Sequence, residues 1–149
     1  MAISKYLDER LVVFLDVDER NRAIQEMVSA LDRSGKLRDP QTFHRAILER
    51  EKIVSTGIGM GVAIPHAKLE GYTDFFIAIG IQERKGIEWQ ALDSAPVQLI
   101  FMIGGPEKSQ VEYLHILSDL TTAVKDGDRR KKLLRTSKPA QVIQLFTGC

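Results

Sequence analysis

Phe75-Phe76-Ile77-Ala78-Ile79-Gly80-Ile81 and Val97-Gln98-Leu99-Ile100-Phe101-Met102-Ile103 are the two most apolar runs of the chain. Both are strand-sized and far below the ~18 residues that span a bilayer. Turn-forming residues bound them at Gly71–Asp74, Gly86, Asp93–Pro96 and Gly104–Gly105, so they read as buried strands. Upstream the pattern is helical. Asp16 or Asp18 can cap a helix running to about Ser34, with Gly35 as its stop. Inside it Ile24, Met27, Val28 and Leu31 fall at i, i+3, i+4 and i+7. Asp39-Pro40 signals a second helix to about Arg50, with Phe43, Ala46 and Ile47 on one face. Downstream, Ser109 can open a helix to about Asp126, and helical stretches follow at about 128–135 and 139–146. Helices, then strands, then helices predict an α/β sandwich: a mixed β-sheet flanked by helices on both sides.

The chain has 149 residues, 44% of them hydrophobic, with 21 basic and 20 acidic side chains and a net charge of +1. That length favours a single domain. The charge balance argues against a dedicated nucleic-acid binder. The one cysteine, Cys149, excludes an internal disulfide and a cysteine-based zinc site. Met1–Arg10 has no apolar signal core, so a cytoplasmic protein without membrane insertion is the expectation.

Between the helices and the buried strands, residues 49–70 read Glu-Arg-Glu-Lys-Ile-Val-Ser-Thr-Gly-Ile-Gly-Met-Gly-Val-Ala-Ile-Pro-His-Ala-Lys-Leu-Glu. Ile53–Val54 and Val62–Ile64 are short β-type runs, with Gly57, Gly59 and Gly61 between them. A phosphate-binding glycine loop needs a helix after its last glycine. Here Pro65 steers Ile64 away from helix, which leaves turns and close strand packing as the plainer role for the glycines. His66 follows Pro65 directly, on a backbone of fixed direction. Its imidazole can be nucleophile, acid–base group or metal ligand, or an ordinary surface histidine. His44 and His115 stand at no metal-ligand spacing, and no Gly-X-Ser-X-Gly elbow supplies a hydrolase nucleophile. The chemical role left is His66 as acceptor of a phosphoryl group. Arg50, the hydroxyls of Ser55 and Thr56, and N–H groups of the glycine loop at Gly61 are the candidate donors to that anion.

The stretch Arg50-Glu51 … Ser55-Thr56-Gly57-Ile58-Gly59-Met60-Gly61-Val62-Ala63-Ile64-Pro65-His66 resembles the active-site signature of enzyme IIA domains of the bacterial phosphotransferase system, fructose/mannitol class. Gly86-Ile87-Glu88-Trp89 … Ala91-Leu92-Asp93-Ser94-Ala95-Pro96-Val97 resembles the segment after that site. Glu112 … Leu114 … Ile116-Leu117 … Leu120 resembles its long helix. The resemblance runs from about residue 7 to 146, within one domain of residues 1–149. Ser-Thr-Gly-Ile-Gly and His-X-Lys-Leu-Glu are most similar to the nitrogen-type regulatory branch.

The resemblance implies that His66 takes a phosphoryl group from a histidine-containing phosphocarrier protein, with Arg50 holding its oxygens and no cofactor or metal. It implies onward transfer to an enzyme IIB domain, or regulation through phosphorylated and unphosphorylated forms with different partner proteins. In 149 residues no fused IIB or membrane domain is expected. The alternative is a degenerate, non-phosphorylated interaction module.

That alternative is raised by one departure. The family usually has a second histidine in the long helix, and the matching residue here is Tyr113, not His115. Ile116, Leu117, Leu120 and Val124 follow Tyr113 at helical spacing and share its face, while His115 lies roughly 200° round the helix, toward solvent. Tyr113 can hydrogen-bond His66 or a phosphate, or simply fill the space. Met60 and Ala67 stand where polar or smaller residues are common, which makes the rim more apolar. Residues 125–138 carry seven basic and two acidic side chains. This stretch reads as a solvated helix face with Leu133 and Leu134 turned inward. Trp89 reads as a packing residue.

Overall fold

The computed structural model describes residues 3–149. Among these residues, five α-helices and six β-strands follow two short 3-10 turns at Ile3–Tyr6 and Glu9–Leu11. They are β1 Val12–Leu15, α1 Arg20–Arg33, α2 Pro40–Ile53, β2 Gly57–Gly59, β3 Val62–Ala63, β4 His66–Leu69, β5 Phe76–Gln82, β6 Leu99–Pro106, α3 Gln110–Val124, α4 Gly127–Arg135 and α5 Pro139–Gln144. The strands form one mixed sheet. β1 runs parallel to β5, β5 antiparallel to β6, and β6 parallel to β3 and β4, with β2 antiparallel outside β3. β3 and β4 lie end to end along β6, pairing Val62 with Leu99 and His66 with Ile103 in one continuous register.

Side-chain alternation along the strands sorts the core into two layers. Ile77, Ile79, Ile81, Leu99, Phe101 and Ile103 face one way and pack with α3, α4, α5 and the turn after it through Ile116, Leu120, Leu133, Val142 and Phe146. Phe76, Ala78, Ile100, Met102, Ala63 and Ala67 face the other way and pack with α1 and α2 through Ile24, Met27, Leu31, Phe43 and Ile47. The sheet is therefore covered by helices on both faces, as the unbroken apolar runs required. Each fully buried large side chain contributes on the order of 1.5–3 kcal/mol.

The helix signals hold with adjustments. Asp39 accepts from the N–H groups of Gln41 and Thr42, and Pro40 is the first helical residue. Gly35, at φ +74°, closes α1: its N–H reaches Asp32 O, and the Lys36 N–H reaches Leu31 O. Neither Asp16 nor Asp18 caps α1; Glu19 holds that position without a side-chain hydrogen bond, and Asp16 instead lies 3.6 Å from Arg84. Ile53 and Val54 are not a strand. Ile53 is the last residue of α2 and Val54 its cap, and both are exposed, because their β-branched side chains find no strand partner there. Asp126 ends no helix but caps α4, accepting from Asp128 and Arg129 N–H. The strand β1 and the strand carrying His66 had no clear sequence signal, being only four residues each.

Gly104 lies in β6, where a β-carbon would overlap the rings of Phe76 and Phe43 from α2. Gly104→Ala should lower the urea midpoint without changing the slope, by about 1–3 kcal/mol of overpacking in the α2 layer. An unchanged midpoint would show that this layer has room to spare.

Candidate functional site

His66 opens β4 on the face that carries Val62 and Ile64, so it points toward α3 rather than α2. It is half-buried, and its Nδ1 lies 2.9 Å from the carbonyl oxygen of Ile64. A carbonyl can only accept, so Nδ1 carries the hydrogen and Nε2 keeps a free lone pair. Burial is the largest influence on the ring and pushes its pKa below 6.5. The charges of Arg50 and Lys68 push the same way, against the Ile64 bond and the Glu51 charge. The site thus holds a neutral imidazole aimed through Nε2.

The Ile64 carbonyl is held in place from behind. Ile64 N–H donates to Thr56 O at 3.0 Å, and Thr56 is fixed by Glu51. The Glu51 carboxylate is buried and accepts from Thr56 N–H, from Thr56 Oγ1 and from Trp89 Nε1. Trp89 is 1% exposed, so it is the packing residue its sequence suggested, with its indole N–H satisfied by Glu51. Glu51 was the residue sequence reasoning missed. Its signal was present: a buried Trp or Thr needs an acceptor, and Glu51 sits five residues before Thr56 at the end of a helix.

Arg50 is one residue before Glu51, in the last turn of α2. Its guanidinium donates to Val54 O at 2.8 Å and has no carboxylate partner among the described residues. Its charge acts on both His66 and Tyr113. Tyr113 comes from α3, with its ring centroid 5.5 Å from that of His66. It is buried, which raises its pKa, and Arg50 opposes that shift. His115 is exposed on the other side of α3, beside Lys5 and Lys108. The helix register therefore brings Tyr113, and not His115, to His66.

Three other candidates are placed differently. The Ser55 hydroxyl donates to Trp89 O at 2.5 Å and accepts from Gly57 N–H at 3.0 Å. The Thr56 hydroxyl is turned inward to Glu51. Gly61 is five residues before His66 along β3 and β4, roughly 16 Å away at strand rise. Its carbonyl accepts from Gln98 and Leu99 N–H. The structure thus brings Arg50 and Tyr113 toward His66, and does not bring Gly61. Met60 is exposed at φ +60°, its N–H bonded to Asp93, while Ala67 is buried beneath the α1–α2 layer. The basic residues of α4 are largely solvated, but Arg129 and Arg130 donate to the carbonyls of Ala123 and Val124 at the end of α3. No group of three or more His, Cys, Asp or Glu among the described residues is placed to hold a metal ion. No helix among them is long and apolar enough to cross a membrane.

The architecture is a mixed sheet between two helical layers, with a half-buried imidazole of one tautomer at the start of a strand. The chain belongs to the family described as phosphoenolpyruvate-dependent sugar phosphotransferase system, EIIA 2, whose model matches residues 5–148. It is 37% identical over 147 residues to the fructose-specific EIIABC component of Bacillus subtilis, covering 98% of this chain but 23% of that protein. It is 32% identical over 136 residues to the nitrogen regulatory protein of Bradyrhizobium diazoefficiens, covering 91% of this chain and 86% of that one. The crystal structure of nitrogen regulatory protein IIA-Ntr from Neisseria meningitidis superposes with a TM-score of 0.88 at 30% identity, over 97% of this chain and 98% of that one. The chain is a phosphotransferase component by family.

Since burial lowers the His66 pKa, its ring should titrate below 6.5, with the proton retained on Nδ1 above the midpoint. The unfolded chain then binds the extra proton first. Stability should be full above about pH 6.5 and fall as pH drops toward the lowered value, and His66→Gln should remove that part of the slope. The ring carbon-bound proton and nitrogen shifts in NMR check both points; a midpoint above 6.5 would contradict the burial argument.

Proposed function

We propose that His66 Nε2 accepts a phosphoryl group from a histidine-containing phosphocarrier protein, and that residues from about 7 to 146 act as one enzyme IIA unit. The observation that carries this reading is the Nδ1 to Ile64 O bond, which leaves Nε2 as the one nucleophilic nitrogen. The Nε2 lone pair attacks phosphorus on the donor's phosphohistidine. The donor's P–N bond breaks, and its electron pair returns to the donor's imidazole nitrogen. The proton on His66 Nδ1 stays where it is, and the Ile64 carbonyl eases the positive charge the ring acquires. Reversal of the same step hands the group to an acceptor.

Arg50 is the natural holder of the phosphoryl oxygens, because guanidinium presents parallel N–H donors to an anionic fork. Ser55 and Thr56 serve by shape: their hydroxyls fix the Trp89 and Glu51 contacts behind the histidine instead of touching phosphate. Tyr113 occupies the second wall of the site. The acceptor is an enzyme IIB domain or a regulated protein; relatives carry both the fructose-specific and the nitrogen regulatory names. Ile53 and Val54, exposed beside Arg50, and Leu114, exposed beside Tyr113, give a partner an apolar rim to cover. A cytoplasmic location follows from a phosphocarrier donor.

Intact mass after incubation with phosphoenolpyruvate, enzyme I and the phosphocarrier should show one acid-labile phosphoryl group, absent from His66→Ala. A wild-type protein that stays unmodified is instead a non-phosphorylated interaction module. Arg50→Lys keeps the charge but loses the fork. It should slow phosphorylation by about tenfold, some 1.4 kcal/mol, with the unfolding midpoint unchanged. Equal rates would remove Arg50 from the site.

A further inference from the structure

We propose that Lys68 is a second phosphoryl-holding cation, laid over the Tyr113 ring until a phosphoryl group on His66 draws it in. The inference rests on the reading of His66 as phosphoryl acceptor. His66 and Lys68 are two residues apart in β4, so their side chains leave the same face of the sheet, about 7 Å apart at the backbone. A lysine there would ordinarily extend into water. Instead the Lys68 ammonium sits 4.3 Å from the Tyr113 ring centroid, and the Tyr113 ring sits 5.5 Å from that of His66. The ammonium also donates to Gln110 Oε1 in the first turn of α3. Two weak holds thus keep it at the site: a ring face and a neutral amide.

Neither hold satisfies the ammonium fully. A ring face attracts a cation without accepting a directed hydrogen bond, and Gln110 takes one of three donors. No carboxylate pairs with Lys68 among the described residues. A phosphoryl group carrying close to two negative charges is a far better partner than either hold. Arg50 supplies one positive charge from the end of α2, and Lys68 supplies another from the strand. The charges of both already act on the His66 ring. On this reading Tyr113 is a positioning residue: its face keeps the ammonium near the histidine. The rival explanation is a tether, in which Lys68 and Gln110 merely tie α3 to β4.

The equilibrium constant for phosphoryl exchange with the phosphocarrier separates the two. At equilibrium it depends only on the free proteins, so altered docking between the partners does not enter. Full-length wild type, Lys68→Gln, Lys68→Arg, Tyr113→Leu and the Lys68→Gln/Tyr113→Leu pair are each equilibrated with purified phosphorylated phosphocarrier and read by intact mass. Lys68→Gln keeps a hydrogen-bond partner for Gln110 but loses the charge, and should lower the constant about fivefold to tenfold. Lys68→Arg should restore it to within about twofold. Tyr113→Leu should lower it less, and the double variant should fall short of the product of the two single effects. A Lys68→Gln constant within twofold of wild type overturns the proposal and leaves the tether, as does a loss that Lys68→Arg fails to rescue. Multiplicative effects in the double variant overturn the role of the ring. A wild-type protein that takes no phosphoryl group overturns the reading of His66 itself, and this one with it.

Discussion

The hydrogen bond from His66 Nδ1 to the Ile64 carbonyl is the contact on which the state of the half-buried imidazole depends. It decides which nitrogen bears the proton, which way the ring points and which nitrogen keeps a free lone pair. The partner lies only two residues away, in the link between β3 and β4, so the bond depends on the backbone course through Pro65. Pro65 has no N–H and a fixed φ. Its own carbonyl accepts from Ile103 N–H at 3.0 Å, which anchors that stretch to the central strand β6. The ring is therefore aimed by the sheet itself and not by a mobile loop.

Behind that bond stands a buried carboxylate. Glu51 gathers the Thr56 N–H, the Thr56 hydroxyl and the Trp89 indole N–H, with no ion pair to a basic side chain among the described residues. A buried carboxylate costs much less when several donors surround it. The three donors come from the segment after α2 and from the loop before β6. Glu51 therefore fastens both to the end of α2. Thr56 then pairs with Ile64, and Ile64 aims His66. Arg50 is the preceding residue of the same helix, so one helix end carries both the buried brace and the exposed cation. The shallow side chains Ala63, Ala67 and Ala78 on the α1–α2 face of the sheet allow that helix layer to lie close enough for its end to reach the site.

The two-layer fold was legible because its signals were strong and local. β5 and β6 are buried along their whole length, and such strands leave unbroken apolar runs. The Asp39-Pro40 start of α2 and the Gly35 end of α1 follow from one residue's backbone chemistry each. Ile53–Val54 misled because β-branched residues carry strand propensity, whereas here they lie exposed at the end of a helix. At the site, the face of α3 carrying Tyr113 could be read from spacing, since Ile116, Leu120 and Val124 mark the buried stripe. The inward turn of the Thr56 hydroxyl could not, because it depends on Glu51 and Trp89, 38 residues apart, meeting in space. Lys68 over Tyr113 is of the same kind: a strand residue and a helix residue that only the packed fold brings together.

A positive potential at a half-buried histidine acts twice. Toward the proton it is unfavourable, and together with burial it keeps the imidazole neutral with its lone pair exposed. Toward a phosphoryl group it is favourable, because the same charges meet an anion. A carboxylate beside His66 would reverse both effects: it would protonate the ring and repel the incoming group. The placement of Glu51 avoids this. Among the influences on the ring its charge is the smallest, and its oxygens are turned to Thr56 and Trp89. The acidic side chain whose charge acts on His66 is thereby turned to structure, and the charges of Arg50 and Lys68 act on the ring from the other side of the balance.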